Sequence, residues 1–354
     1  MKGISALKKV YSHSESRKYA MRLSILDQSP ISSGTTPAQA LHESMKLAQI
    51  GEKLGYTRYW IAEHHDLPAL ACSAPEVMLG YIGANTEKIR IGAGAVLLPH
   101  YKPYKIAETF NMLATLFPNR IDLGIGRAPG GSAEATMALS DNFLEQVRKM
   151  PDSFNDLLHF LNNDFSSDHM YSKISASPVP EISPEPWILG TSEKSAILAA
   201  ETGTAYAFGH FMSDKEGTSI VKNYIKNFKA NGRLQRPKSI VAVSAICSET
   251  TERAKELALS NLLWEIQLEK GEGRKGVPSV EEAKQYSYNS DDKLKIKNLR
   301  NKMVIGNPRE VKEQLFELQT SYEADEIMII TITHRYEDRI QSYELIANEV
   351  LSDI

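Results

Sequence analysis

The chain is poor in cysteine. Its 354 residues hold two, Cys72 and Cys247, too few for a disulfide framework and suited to a reducing, cytoplasmic setting. Long apolar runs are missing too. None approaches the ~20 residues that cross a bilayer, so no membrane contact is expected. Neither sign of charge dominates: 41 Lys and Arg stand against 44 Asp and Glu, a net charge of −3. That leaves no general electrostatic grip on nucleic acid. Internal repeats and low-complexity tracts are absent as well. What is there is 42% hydrophobic and 24% charged, a balance that supports a large packed core. The length allows two or three ordinary domains, or one α/β barrel.

Residues 1–20, MKGISALKKVYSHSESRKYA, carry five Lys/Arg, four Ser and one acidic residue. They lack the apolar core of about 7–15 residues that marks a secretory signal. A loose likeness to an organelle transit peptide remains. The plainer expectation is a disordered basic tail, or residues upstream of a start at Met21. The fold is therefore sought in residues 21–354, read as a single domain.

From Met21 the apolar pattern alternates between strand and helix. Strands are predicted at Leu23–Gln28, Thr57–Ala62, Ile89–Leu98, Arg120–Ile125, Pro186–Leu189, Ala205–Gly209, Ser239–Ala245 and Glu326–Ile332. Helices are predicted at Pro37–Leu54, Pro75–Asn85, Pro103–Phe117, Glu193–Thr202, Asp214–Ala230, Thr251–Gln267, Pro308–Gln319 and Tyr336–Val350. IVAVSAI and IMIITI are nearly continuous in apolar residues, as strands buried on both faces should be. Eight strand–helix units predict an α/β fold, a (β/α)₈ TIM barrel, with a doubly wound open sheet as the alternative. Two polar passages interrupt the rhythm. Residues 129–184, with helical patches near 140–149 and 152–161, form an excursion after strand four, where lids usually form. Residues 268–302 read as a solvated excursion before strand eight.

Barrel enzymes keep their active sites at the C-terminal strand ends, and the chemically capable residues collect there. Asp27, Gln28 and Ser29 follow strand one, and Glu63, His64, His65 and Asp66 follow strand two. His100 and Tyr101 follow strand three, and Arg127, Gly130 and Gly131 follow strand four. Thr191 and Ser192, His210, and His334 with Arg335 end strands five, six and eight. Of nine histidines only His13, His42, His159 and His169 lie elsewhere, a clustering that points to an enzyme. Neighbours on a strand face opposite ways, so His64 and His65 make a poor joint metal site. The spacings H-x-H and H-E-x-x-H do not occur, and no metal is expected. One histidine serving in proton transfer or as a hydrogen-bond partner fits better, against rim packing as the plain alternative.

In Gly190-Thr191-Ser192-Glu193-Lys194-Ser195, Ser192 suits the N-cap and Ser195 the N3 position of a helix. Free N–H groups at a helix start are a common phosphate site. Arg127, ending the preceding strand, could pair bidentately with such a phosphate. An ordinary cap and a rim salt bridge are the structural readings. Gly124-Ile125-Gly126 and Gly92-Ala93-Gly94 both miss the G-x-G-x-x-G fingerprint, so no NAD(P) site is expected. Glycines inside strand three suggest close approach of a flat ligand.

LDQSPI, YWIAEHHDLP, IRIGAGAVLLPHYKP, NRIDLGIGRAPGG, PWILGTSEKSA, AYAFGHF and SYELIA follow in order from Met21 to the C-terminus. Together they resemble the blocks of the bacterial-luciferase-like flavin-dependent monooxygenase superfamily, specifically its alkanal-monooxygenase-like branch. The resemblance implies a barrel that uses reduced FMN and O2 to oxidise a small organic substrate, aldehyde-like or similar. It implies a separate NAD(P)H:flavin reductase as partner, and a homodimer. His64 matches the catalytic base. Gly94 and Ala95 match a pair whose backbone lies against the isoalloxazine ring, often through a non-prolyl cis peptide. Arg127, Ser192 and Ser195 match phosphate-binding positions, with Thr191 beside them. Gly126 stands where luciferases carry a reactive cysteine, so light emission is not implied. GGSAEATMALS departs from the branch's usual run, and substrate contacts after Gly131 are not carried over. The rival readings are a deazaflavin-dependent hydride-transfer enzyme on the same fold, a non-catalytic flavin-binding protein and a metal hydrolase.

Overall fold

A computed structural model describes residues 21–351; the expected tail at residues 1–20 lies outside the described residues. Eight parallel strands close into a ring: β1 (Leu23–Asp27), β2 (Arg58–Ile61), β3 (Arg90–Leu97), β4 (Ile121–Gly126), β5 (Glu185–Gly190), β6 (Ala205–Gly209), β7 (Ser239–Cys247) and β9 (Glu326–Ile330). Pairing of β6 with β7 completes it. The predicted (β/α)₈ barrel is the observed fold. The sequence reading missed one strand, β8 (Val304–Gly306), which pairs only with the far end of β7 at Ala245–Cys247.

Strand alternation sorts side chains into two layers. Ile25, Tyr59, Ile61, Ile91, Leu123, Val241 and Ile327 face outward into one large cluster beneath the helices. Leu26, Trp60, Trp187, Ile240, Met328 and Ile330 face inward and fill the ring. The outer layer includes α1 (Pro37–Lys53), α2 (Pro75–Ala84), α3 (Pro103–Leu116), α6 (Glu193–Glu201), α7 (Gly217–Asn227), α11 (Pro308–Tyr322) and α12 (Tyr336–Val350). Proline at the first turn starts α1, α2, α3 and α11, where its missing N–H costs nothing. Thr36 caps α1 through the Gln39 N–H, and Asn307 with Glu310 forms a capping box on α11.

The floor of the barrel is ionic. Arg58 donates to Asp122 at 2.6 Å and to both Glu326 oxygens at 2.8 and 3.1 Å. Trp60 Nε1 adds a hydrogen bond to Asp122 at 2.9 Å, and Trp187 lies 4.8 Å from the guanidinium. Burial works against the Arg58 charge, yet Glu326 and Asp122 outweigh it and raise its pKa. Arg58 and Glu326 open their strands and Asp122 is second in β4, so this cluster seals the end away from the mouth.

Both excursions differ from expectation. Residues 129–184 are not all lid. α4 (Ala133–Leu139) is short, but α5 (Phe143–Asn162) is one continuous helix through Pro151. It packs against α3 and buries Phe154, Leu157, Phe160 and Leu161 in the outer cluster, so it is the barrel's own helix between β4 and β5. The second excursion is larger than residues 268–302. It begins with α8 (Thr251–Glu269), predicted as an ordinary barrel helix, and continues through α9 (Val280–Gln285) and α10 (Ser290–Arg300). Trp264 of α8 joins the inner cluster with Ala69 and Val277, so α8 lies across the barrel mouth. The helix that follows β7 in the outer layer is α11.

Candidate active site

Past Ile61 the chain leaves β2 and presents Glu63, His64 and His65 in turn; Glu63 and His65 turn to one place and His64 to another. Glu63 is buried and accepts from Leu97 N at 3.1 Å and from the Tyr101 hydroxyl at 2.7 Å. His65 Nε2 lies 2.8 Å from the same carboxylate, and the His65 ring meets His100 edge-on at 6.0 Å. His64 is separate. Its backbone N–H donates to the Cys72 carbonyl, while its ring Nδ1 is buried with no hydrogen-bond partner. Burial, helped by His65, pushes the His64 pKa down to about 4, so the ring is neutral at ordinary pH. The two imidazoles thus do different work, as strand alternation requires. Among the described residues no group of three His, Cys, Asp or Glu side chains gathers as a metal cage.

The β5–α6 junction is built as predicted. Ser192 caps α6 and Ser195 returns the bond, a complete capping box. Ser195 Oγ lies 3.1 Å from the Tyr206 hydroxyl and donates to the Ser192 carbonyl at 2.6 Å. Gly190 is required here, because a Cβ would sit 2.3 Å from Ser195 Oγ. The N–H groups of Glu193 and Lys194, in the first turn, have no intrahelical acceptor. Arg127 stands on the neighbouring strand end. The register Ile125 to Ile188, carried two residues on, sets Arg127 level with Gly190. Its side chain is exposed and has no hydrogen-bond or ion-pair partner among the described residues. The free helix N–H groups and the unpaired guanidinium at one rim are groups that could hold an anion.

The Gly94–Ala95 peptide is cis, and the register of β3 against β4 shifts between Ala93 and Val96. The glycines of β3 have a second reason to be there. A Cβ on Gly92 would strike Asp122 and Trp60, and one on Gly94 would strike Leu26. On the Cβ side of these glycines the space is thus filled by the protein's own side chains.

Other strand-end residues turn out to be structural. Asp27 faces away from the mouth into a buried ion pair with Arg339 at 2.6 Å, with the Tyr59 hydroxyl donating to it. Burial alone would raise its pKa, but Arg339 and Tyr59 hold the carboxyl below its usual value. His210 Nδ1 is held by the Tyr322 hydroxyl at 2.8 Å, and His334 Nε2 lies 3.2 Å from Ser33 Oγ. Cys72 and Cys247 are buried, and burial pushes both thiols up to about 12, which leaves no thiolate nucleophile. Sequence reasoning did not find the brace from Glu63 to Leu97 or the role of Tyr206. Glu63 was visible as a carboxylate beside two histidines. Tyr206 offered no signal, being one more aromatic in a buried strand.

Residues 21–322 match the family model described as luciferase-like monooxygenase. The chain belongs to the luciferase-like monooxygenase family. It is 36% identical over 334 residues to N-acetyl-S-alkylcysteine monooxygenase of Bacillus subtilis, covering 94% of this chain and 99% of that one. Among solved structures, this luciferase-like monooxygenase is similar to apo-MsnO8, with a TM-score of 0.83 and 31% identity over 93% of this chain and 98% of that one. It shares its fold with the oxygenating constituent of 3,6-diketocamphane monooxygenase from Pseudomonas putida, a type II Baeyer-Villiger enzyme in complex with FMN. That likeness has a TM-score of 0.68 and 20% identity, over 95% and 99% of the two chains. The protein is an oxidoreductase that incorporates molecular oxygen.

Proposed function

We propose that this luciferase-like monooxygenase takes reduced FMN and O2 to oxidise a small organic substrate, aldehyde-like or similar, and that a separate NAD(P)H:flavin reductase supplies the reduced FMN. The observation that carries the reading is the anion cradle at the β4 and β5 ends: Arg127 without a partner beside the open first turn of α6. It fits the terminal phosphate of FMN. Bound FMN would supply the redox chemistry with oxygen. Arg127 would grip the phosphate, with Thr191, Ser192 and the Glu193 and Lys194 N–H groups around it, and Ser195 would hold the cap through Tyr206. The Gly94–Ala95 backbone would present a flat wall to the ring. His64, neutral and with Nδ1 unsatisfied, would accept or share a proton there. The FMN complex of the camphane enzyme and the absence of a dinucleotide fingerprint both support FMN with an external electron source. A homodimer is part of the proposal. Val77 and Tyr81 on α2, with Met112 and Leu116 on α3, are exposed apolar residues on two helices that pack together, the kind of patch that partners cover.

Titration of the purified protein with oxidised FMN, reduced FMN and a deazaflavin, followed by oxygen uptake, tests this reading. FMN is expected to bind and the reduced form to drive substrate-dependent oxygen uptake. Arg127→Ala is expected to weaken FMN about 10–100-fold, the worth of a charge-assisted bond of ~1.5–3 kcal/mol. Equal curves for variant and parent would remove Arg127 from the site, and preference for the deazaflavin would replace the oxygenase reading with hydride transfer.

A further inference from the structure

Across the mouth from the anion cradle, a cavity of about 50 Å³ lies between the barrel and α8. Gln28, Ser244, Ile330 and Ile332 come to it from the strands, and Asn261 and Glu265 from α8. Strands β1 and β9 sit opposite β5 and β4 in the eight-membered ring, so this cavity faces the cradle across the mouth. Asn261 and Glu265 are one helical turn apart and share a face. Asn261 is 7% exposed and its Oδ1 is buried without a partner. Glu265 makes no hydrogen bond or ion pair among the described residues, and burial raises its pKa against a smaller opposing effect of Lys295.

Buried polar groups are normally satisfied; Asn261 Oδ1 is not, and the half-buried, unpartnered Glu265 carboxylate stands beside it on the same cavity, so the pair calls for an occupant. The neighbouring cations do not serve. Lys302 lines the cavity, but its ammonium is paired with Asp214, and Lys295 is paired with Glu269. The other ring at this edge, His210, is engaged with Tyr322. What the cavity lacks is a donor of hydrogen bonds, positively charged and small.

We propose that Asn261 and Glu265 form a substrate-recognition subsite for an alkylammonium group, making the substrate of this enzyme an amine-bearing molecule. The amine head would donate to Asn261 Oδ1 and the Glu265 carboxylate, while its carbon chain runs over Ile330 and Ile332 toward the open mouth. The volume admits a small head group and not a whole substrate, so the oxidised atom lies further out. The class of substrate rests on the oxygenase reading above; the subsite itself does not need flavin.

The test uses three four-carbon probes, n-butylamine, butyrate and 1-butanol, titrated into the full chain by calorimetry or ligand-observed NMR. Butylammonium is expected to bind at least about tenfold more tightly than the other two. Glu265→Gln should abolish that preference and leave the FMN titration unchanged. Asn261→Asp adds a second carboxylate to the same space, so it should tighten butylammonium and weaken butyrate, and it keeps the question open to decision if Glu265→Gln fails to fold. Equal binding of the three probes, a preference for butyrate, or an unchanged ranking in Glu265→Gln overturns the proposal. Failure of the parent protein to bind FMN would sink the oxygenase reading while leaving the amine ranking measurable.

Discussion

His64 pairs a sequence expectation with an environment the sequence did not disclose. The run Glu63-His64-His65-Asp66 marked the position, and alternation separated the two rings. Burial then takes the His64 pKa from 6.5 to about 4, which depends on the chain that folds over it from Cys72 and could not be read locally. The shift has a consequence for stability. A depressed histidine pKa means that the unfolded chain takes up a proton before the folded one, so stability falls as pH drops from about 6.5 toward 4. From pH 7.5 to 5 this group removes about 2 kcal/mol, since each pKa unit is worth ~1.4 kcal/mol. Urea unfolding of the parent and of His64→Gln at both pH values is expected to show the parent losing that much more than the variant. Parallel losses would mean that the imidazole is solvated in the folded protein. Asp27 carries the complementary lesson. It stood at a strand end like the others, yet its register placed it behind the wall, opposite Arg339, more than 300 residues away in the chain.

Among the elements, strands were the most legible and the mouth coverings the least. A parallel strand buried on both faces writes its own apolar run, so all eight ring strands were visible within a few residues. β8 has three residues, too few to carry a pattern. α8 reads as one more helix in the strand–helix alternation, and nothing in its sequence says that it meets strand ends rather than the barrel wall; in the fold it is buried on most sides from Leu257 to Ile266. α5 misled for a stated reason: Pro151 divides its pattern, so two patches were predicted where one helix runs from Phe143 to Asn162. Proline in a helix interior removes a backbone bond and crowds the preceding turn. Here the buried Phe154, Leu157 and Phe160 hold the helix together across it. Pro151→Ala is therefore expected to stabilise the protein by about 1–3 kcal/mol, measured by chemical denaturation. An unchanged midpoint would mean that α5 opens independently of the barrel, which is the behaviour of a lid.

At the scale of the whole molecule, the barrel and its cradle came from pattern, while the amine-facing cavity came only from assembly, since Gln28, Ser244 and Glu265 meet from three distant parts of the chain. Assembly also extends outward. If α2 and α3 cover each other's counterparts in a dimer, Met112→Lys with Leu116→Lys should convert the protein to monomers in light-scattering chromatography, with the FMN site intact; a parent that is already monomeric removes the proposal. The floor has a different kind of consequence. Arg58, Asp122, Glu326, Trp60 and Trp187 are all under 2% exposed and the ring above them is packed with side chains, so the site at the mouth is open on one side only. Everything that enters must leave by the way it came. Whatever reaches the deepest position goes in first and comes out last, and a molecule seated at the rim blocks the exit of one seated below. Position at the mouth therefore fixes the order of entry and exit.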